Sequence, residues 1–201
     1  MLRPNYACDA PPTQIEVGGA MYDVETDWRV WIDITRLLGD LIPNADTDER
    51  RRHNADTWAQ IQELAFGGVL VDESAADVMR AVCDFAQGCP CAPMRREAGG
   101  PRVLSHDYDL NWIVLAIRAQ FGVDLSYHRS EPFHWWEFRL MEQALSGDHY
   151  ILSLMDARGY KGKDPDLIKR RRMCALPKEE TAAERAHSED VMAEILADTE
   201  Q

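Results

Sequence analysis

The sequence has no apolar run that approaches the ~20 residues needed to span a bilayer, and its first residues lack the apolar stretch of a signal peptide. The five cysteines of this 201-residue chain are an odd number, which argues against the disulfide framework of a secreted domain. We therefore expect a cytosolic protein with reduced thiols.

Recognisable catalytic motifs are missing as well. The chain contains no P-loop, no GxGxxG, no GxSxG and no cysteine–histidine pair in a known catalytic context. Nothing in the sequence supports catalysis. We expect a protein that is not an enzyme and that needs no cofactor.

Charge is present but unevenly distributed. The net charge is −13, which favours solubility and repels nucleic acid from most of the surface. The segment from Arg158 to Lys178 nevertheless carries +6, so that the rest of the chain carries −19. Within it, Lys169, Arg170, Arg171 and Arg172 form a basic run. This run could bind phosphate, lie on a solvated helix face, or dock on an acidic surface of another copy, and we expect self-association through it.

Hydrophobic periodicity predicts a mainly α protein. Alternating residues around Gly18 and Gly19 are typical of a small N-terminal β-hairpin, and most of the later chain shows helical spacing. We expect an N-terminal arm (1–12), one helical domain (13–177) and a peripheral acidic tail (178–201), helical or mobile and outside the core. The predicted pieces are a core helix at 28–38, a charged loop at 44–54, helices ending near 67 and 88, a central buried helix to 121, a helix from Ser130, a short helix near 150–155 and a basic helix from Asp164 to Leu176.

The densest aromatic stretch is Phe133 to Phe138, FHWWEF. With Ser130 as N-cap, a helical projection places Phe133 and Trp136 on an apolar stripe. Trp135 falls on the opposite, polar side, where a cation–π contact with Arg139 is possible. The stretch is then either the first turn of a core helix or a binding surface that includes Trp135.

Two groups of residues have metal-ligand chemistry but poor spacing. His134 and Glu137 form a single pair, whereas a catalytic metal normally needs about three protein ligands. Cys83, Cys89, Cys91 and His106 lack the paired C-x₂₋₄-C spacing of a zinc site. We expect no bound metal.

Three stretches taken together resemble the bacteriophage gp-fifteen family. They are the hairpin followed by TDWRVWIDI (26–34), then DYDLNWIVLAIRAQFGVDLS (107–126), then FHWWEF leading to GYKGKD (159–164). The similarity covers about residues 13 to 177. Members are α-rich proteins of long-tailed phages and prophages, commonly encoded just before the tape measure gene, where tail assembly chaperones are encoded.

The resemblance implies a chaperone of siphovirus tail morphogenesis in the host cytoplasm. Its expected partners are the tape measure protein, further copies of itself and tail tube subunits, with neither membrane nor nucleic acid. We expect Trp28, Trp31, Trp135 and Arg139 to contact the partner. Two other classes remain open: a structural tail or connector component of the virion, and a nucleic-acid or zinc-binding regulator.

Overall fold

The computed structural model describes residues 10–69, 71–88, 102–126, 132–177 and 182–199. Two β-strands and eight α-helices occur in these ranges, so the prediction of a mainly α fold with an N-terminal hairpin is confirmed. The chain forms two compact units. We call residues 12–86 with 178–201 the hairpin unit and residues 87–177 the second unit.

The hairpin unit begins with β1 (Gln14–Val17) and β2 (Ala20–Asp23), which pair antiparallel with Val17 opposite Ala20. Gly18 and Gly19 form the turn with φ of 58° and 94°. Both values lie in the region that side chains disfavour, which is why a glycine pair closes this two-residue loop. Ile15 and Val17 point into the core from one face of the strand.

Four helices complete the hairpin unit: α1 (Trp28–Asp40), α2 (Asp48–Phe66), α3 (Ala75–Ala86) and α8 (Ala182–Thr199). α1 packs on α2, α3 and α8, and α3 also contacts β1. The Asp27 carboxylate caps α1 by accepting from the backbone N–H of Arg29. The predicted core helix at 28–38 is confirmed, although it runs on to Asp40.

The predicted charged loop at 44–54 is wrong, because α2 already begins at Asp48. The Thr47 side chain caps this helix by accepting from the N–H of Arg50, and two acidic residues occupy its first turn. Negative charge is favourable at a helix N-terminus, so the charge density that suggested a loop belongs to an exposed helix face. Ser74 similarly precedes α3, which begins at Ala75, and its hydroxyl accepts from the N–H of Asp77.

The acidic tail, predicted to be helical or mobile, forms α8, and this helix is not wholly outside the core. Ala186 of α8 is buried, and the Ala182 N–H donates to the Asp40 carboxylate at 2.7 Å. The Arg50 guanidinium binds Asp190 at 2.8 Å and the Ala186 carbonyl oxygen at 3.0 Å. The first turns of α8 therefore pack on the end of α1 and the start of α2 within the hairpin unit, whereas Val191 and Met192 are exposed.

The second unit contains α4 (His106–Phe121), α5 (Trp135–Gln143), α6 (Tyr150–Gly159) and α7 (Pro165–Met173). α4 packs on α5 and α6, and α7 packs on α6. α7 begins as predicted with Asp164 as N-cap and Pro165 in the first turn. It ends at Met173 rather than Leu176. The Cys174 carbonyl beyond its end accepts a hydrogen bond from Arg158 of α6.

Candidate partner-binding site

The helix that contains FHWWEF begins four residues later than the sequence predicts, because its N-cap is residue 134 and not residue 130. Pro132 and Phe133 lie outside the helix, and α5 starts at Trp135. His134 is the N-cap, with φ −66° and ψ 135°, and its Nδ1 accepts from the backbone N–H of Trp136 at 3.0 Å. A histidine ring thus does the capping that the sequence analysis assigned to Ser130, which lies outside the described residues.

The prediction that Trp135 lies off the core is wrong. Its side chain is 1% exposed and stacks on Phe138, with ring centroids 5.8 Å apart and planes 18° apart. The expected contact with Arg139 is present, with the guanidinium carbon 5.5 Å from the Trp135 ring centroid. Trp136 is buried as predicted.

The reason is that the supposedly polar side of α5 faces the start of α4. Trp135, Phe138, Arg139 and Glu142 share this side at helical spacing. The charges at its end are paired: Glu142 binds His106 of α4 at 2.7 Å and also accepts from Arg139. A charged residue in a helical projection indicates a solvent-exposed side only when it lacks a partner inside the protein. Arg139 and Glu142 each have such a partner.

Burial and the neighbouring charged groups shift the pKa of Glu142 in opposite directions. Loss of water alone would raise the pKa of this carboxyl, but the hydrogen bond from His106 and the charge of Arg139 outweigh it, so that the pKa lies below its ordinary value. Glu142 is therefore ionised and holds α5 against α4. We interpret the His106–Glu142–Arg139 cluster as a structural contact.

The other two predicted anchors, Trp28 and Trp31, are buried in the hairpin unit. Trp31 has 0% exposure, donates from Nε1 to the Glu25 carbonyl at 2.6 Å and lies 4.6 Å from the Phe85 ring. Partner binding by these tryptophans, Trp135 and Arg139 stays a prediction. It would require the core to open, because none of the three indole rings is presented to solvent.

An exposed apolar surface does exist, on α4. The helix predicted to be centrally buried has two apolar faces, of which only the one with Ile113, Ala116 and Ile117 is buried. The other presents Tyr108, Trp112 at 43% exposure and Leu115 at 53%. Tyr150 of α6 is 55% exposed and meets Trp112 edge to face, with ring centroids 4.6 Å apart. We call Tyr108, Trp112, Leu115 and Tyr150 the aromatic surface.

The sequence pattern does not distinguish the aromatic surface from the core, because apolar residues occur around most of α4 and all of them fit the prediction of a central buried helix. A signal was available. Tyr108, Trp112 and Leu115 stand at i, i+4 and i+7, and Ile113, Ala116 and Ile117 repeat the same kind of spacing on another side. Two separate apolar stripes on one helix predict two separate contacts, and within the described residues the stripe with Tyr108, Trp112 and Leu115 stays exposed.

Two of the four side chains in the basic run on α7 form hydrogen bonds within the protein. Arg170 donates to the Ser153 hydroxyl at 2.5 Å, and Arg171 donates to the Tyr160 carbonyl at 3.0 Å. Both bonds tie α7 to α6 and its end. Lys169 and Arg172 are exposed. Arg170 is exposed as well, and only Arg171 is half-buried. Self-association through Lys169, Arg170, Arg171 and Arg172 stays a prediction, and Lys169 and Arg172 are the better candidates because neither takes part in the two bonds to α6 and its end.

Only two of the four candidate zinc ligands, Cys83 and His106, lie in the part of the chain that the structure describes. Cys89 and Cys91 lie outside the described residues. Cys83 has a pKa raised by burial and by the neighbouring Asp84 charge, which disfavours the thiolate that zinc binds. In the ranges that the structure describes, no three potential ligands cluster closely enough to hold a metal ion.

The family model described as Bacteriophage Gp15 protein matches residues 71–179, which is more than half of the 201 residues. The chain belongs to the bacteriophage Gp15 family. Comparison with curated proteins and with solved structures gives no match. The Gp15 match begins close to α3 and runs to the end of α7, so it includes the whole aromatic surface and the basic run. The hairpin, α1 and α2 lie outside it, although the resemblance seen in the sequence began at residue 13.

Among the described helices of this Gp15 protein, none is both long and apolar enough to cross a membrane.

Proposed function

We propose that this Gp15 protein is a tail assembly chaperone that binds the tape measure protein of a long-tailed phage before the tail tube closes around it. The observation that carries the proposal is the Gp15 family match over residues 71–179. The resemblance found in the sequence ties this family to the gene position where such chaperones are encoded.

Exposed apolar side chains support a binding role. Outside the aromatic surface, Met21 and Val69 in the hairpin unit and Leu167 and Met173 on α7 are well exposed. A flexible methionine can adapt to an irregular apolar stripe, and Met173 is 77% exposed. A long amphipathic chain that cannot bury its own apolar face needs such contacts to stay in solution.

The acidic surface supports the same role. A net charge of −13 opposes aggregation of a complex whose other member is apolar. The charge also sets a requirement on the partner, because a protein of this sign binds most readily to a segment with basic residues beside its apolar stripe. The tape measure protein is the first candidate, and a tail tube subunit is the second.

Co-expression tests the proposal. The tape measure protein of the same phage is produced alone, with this protein, and with an unrelated acidic helical protein of similar size. We expect this protein alone to raise the soluble fraction of the tape measure protein and to copurify with it. If solubility is unchanged and no complex forms, the chaperone proposal is wrong.

Purified virions provide the second measurement. A chaperone leaves before the tail matures, so mass spectrometry should find this protein only in trace amounts relative to the tube and tape measure proteins. A constant whole number of copies per virion would instead identify a structural tail or connector component.

A further inference from the structure

The exposed side of α4 forms a continuous line along the helix. Tyr108, Trp112, Leu115 and Ala119 lie at i, i+4, i+7 and i+11 and are all exposed. At 1.5 Å per residue this line is about 16 Å long. Such spacing is that of a helix–helix contact, in which the stripe of one helix faces the stripe of another.

The sizes of these side chains would fit those of a second α4 that runs in the opposite direction. When a second α4 lies antiparallel, with the symmetry axis between residues 113 and 114, Trp112 faces Leu115 of the second copy. In the same register Tyr108 faces Ala119 of the second copy. Large side chains thus meet smaller ones at every step, the arrangement that lets two helices approach and interdigitate.

The charges beside the line are complementary in the same way. Asp107 and Arg118 flank one side of the stripe at opposite ends, as a projection at 100° per residue shows. In an antiparallel helix pair like flanks meet, so Asp107 lies within two residues, about 3 Å of helix rise, of Arg118 of the second copy. In a parallel pair unlike flanks meet, so Asp107 and Arg118 of two copies would not lie side by side.

Both charged side chains are available for this contact. Asp107 has Arg102 at 3.7 Å and Arg118 has Asp124 at 4.0 Å, both at the long end of ion-pair distances. The Arg118 side chain is 61% exposed. Exposed pairs of this length contribute little, so exchanging them for contacts across an interface costs little.

From these relationships we infer that the aromatic surface binds a second copy of this chain, as a two-fold symmetric dimer in which α4 packs antiparallel on α4. Complementarity of a surface to its own reverse is what an isologous interface requires, whereas a different partner requires no such pattern. Tyr150, beside Trp112 in each copy, extends the contact. The inference does not depend on the chaperone role, since it concerns only copies of this chain.

The dimer should be weak and concentration-dependent. One helix pair with flanking tyrosines falls at the low end of specific interfaces, below about 1,200 Å² of total buried surface. A dissociation constant in the micromolar range is expected. Sedimentation equilibrium of the full chain, from low micromolar to several hundred micromolar, measures it.

Leu115→Glu places a charge at the centre of the stripe and should raise the dissociation constant at least about tenfold. Val69→Glu is the matched control, because it makes the same kind of change at an exposed apolar residue outside the surface. It should leave the dimer unchanged. Melting temperatures of both variants show whether the fold is retained.

A charge exchange tests the register. Asp107→Arg and Arg118→Asp should each weaken the dimer, and the chain with both changes should recover it, because each copy then again offers opposite charges at the two ends. A wild type that is monomeric at every concentration overturns the inference, as does a dimer that Leu115→Glu leaves intact. Failure of the double variant to recover association overturns the antiparallel arrangement.

Discussion

Asp109 of α4 and Arg158 of α6 form a buried, two-bond ion pair, with Nη1 2.6 Å from Oδ2 and Nη2 3.0 Å from Oδ1. The same guanidinium donates to the backbone carbonyls of Val103 and Cys174 at 3.0 and 2.7 Å. One side chain thereby joins the segment before α4, α4 itself and the end of α7. The Asp109 carboxylate also accepts from the backbone N–H of Ser105, the residue that precedes α4.

Removing either partner of this pair should strongly destabilise the second unit. Arg158→Leu leaves a buried carboxylate without its counter-charge, and breaking a buried pair in this way typically costs about 3–5 kcal/mol. Urea denaturation measures the change in the free energy of unfolding. Arg80→Ala is the control, because Arg80 pairs with Asp77 on an exposed helix face and should cost less than about 1 kcal/mol. Equal losses for the two variants would contradict this ranking.

Trp135→Ala should destabilise the fold rather than act on binding alone. The side chain is fully enclosed and stacked on Phe138, and truncating a buried tryptophan costs about 3–5 kcal/mol through lost contacts and the remaining cavity. Trp112→Ala, at an exposed position of α4, is the matched control and should cost much less. Chemical denaturation of both variants decides the point. A Trp135→Ala protein as stable as the wild type would restore the interpretation of Trp135 as a surface residue.

The difference between Trp135 and the hairpin shows what sequence pattern can and cannot predict here. Gly18 and Gly19, the Asp27 cap and the Asp164-Pro165 start of α7 are local signals, because the residues that cause each structure are its neighbours in the chain. The surroundings of Trp135 depend on His106, which is almost thirty positions away. A helical projection contains no such partner.

The same limit explains the aromatic surface. Whether Trp112 lies in the core or at the surface depends on which side of α4 the other helices cover, and the sequence marks both sides as apolar. The ionic partners show this limit too. Asp109 and Arg158 look like ordinary surface charges in the sequence, and only their meeting in the core makes them structural.

Acid should weaken the contact between α4 and α5 through Glu142. Because the folded-state pKa of this carboxyl is lowered, its stabilising contribution is present above its unfolded-state value of about 4.3 and is lost as pH falls through the folded-state value. Glu142→Gln should therefore be less stable than the wild type near neutral pH, and the difference should shrink as pH is lowered below that value. Thermal unfolding from pH 7 to pH 3 measures it. A difference that stays constant over this range would show that Glu142 does not contribute through its charge.

Arg50 should control the docking of α8. Its guanidinium binds Asp190 and Glu189 and the Ala186 carbonyl, so Arg50→Ala should release the start of the tail from the hairpin unit. Limited proteolysis measures this as faster cleavage within α8. Arg36→Ala is the control, since Arg36 pairs only with Asp33 of its own helix among the described ion pairs.

Removing the chain from residue 182 onward should lower the melting temperature, because it exposes the site that Ala186 covers. An unchanged melting temperature would support a tail outside the core.

The basic run on α7 should give a second, salt-sensitive contribution to self-association. Lys169 and Arg172 are exposed, and the rest of the chain carries −19, so opposite charges on two copies attract at low ionic strength. The screening length falls from about 10 Å at 0.1 M salt to about 3 Å at 1 M, which should remove this contribution while leaving apolar packing through α4 in place. Sedimentation of wild type and of Lys169→Glu/Arg172→Glu at both salt concentrations separates the two. The double variant should already behave at 0.1 M as the wild type does at 1 M.

Arg171→Glu is the informative comparison, because it also removes the bond to the Tyr160 carbonyl and should lower the melting temperature. Identical association of wild type and double variant at 0.1 M would exclude these two side chains from the interface.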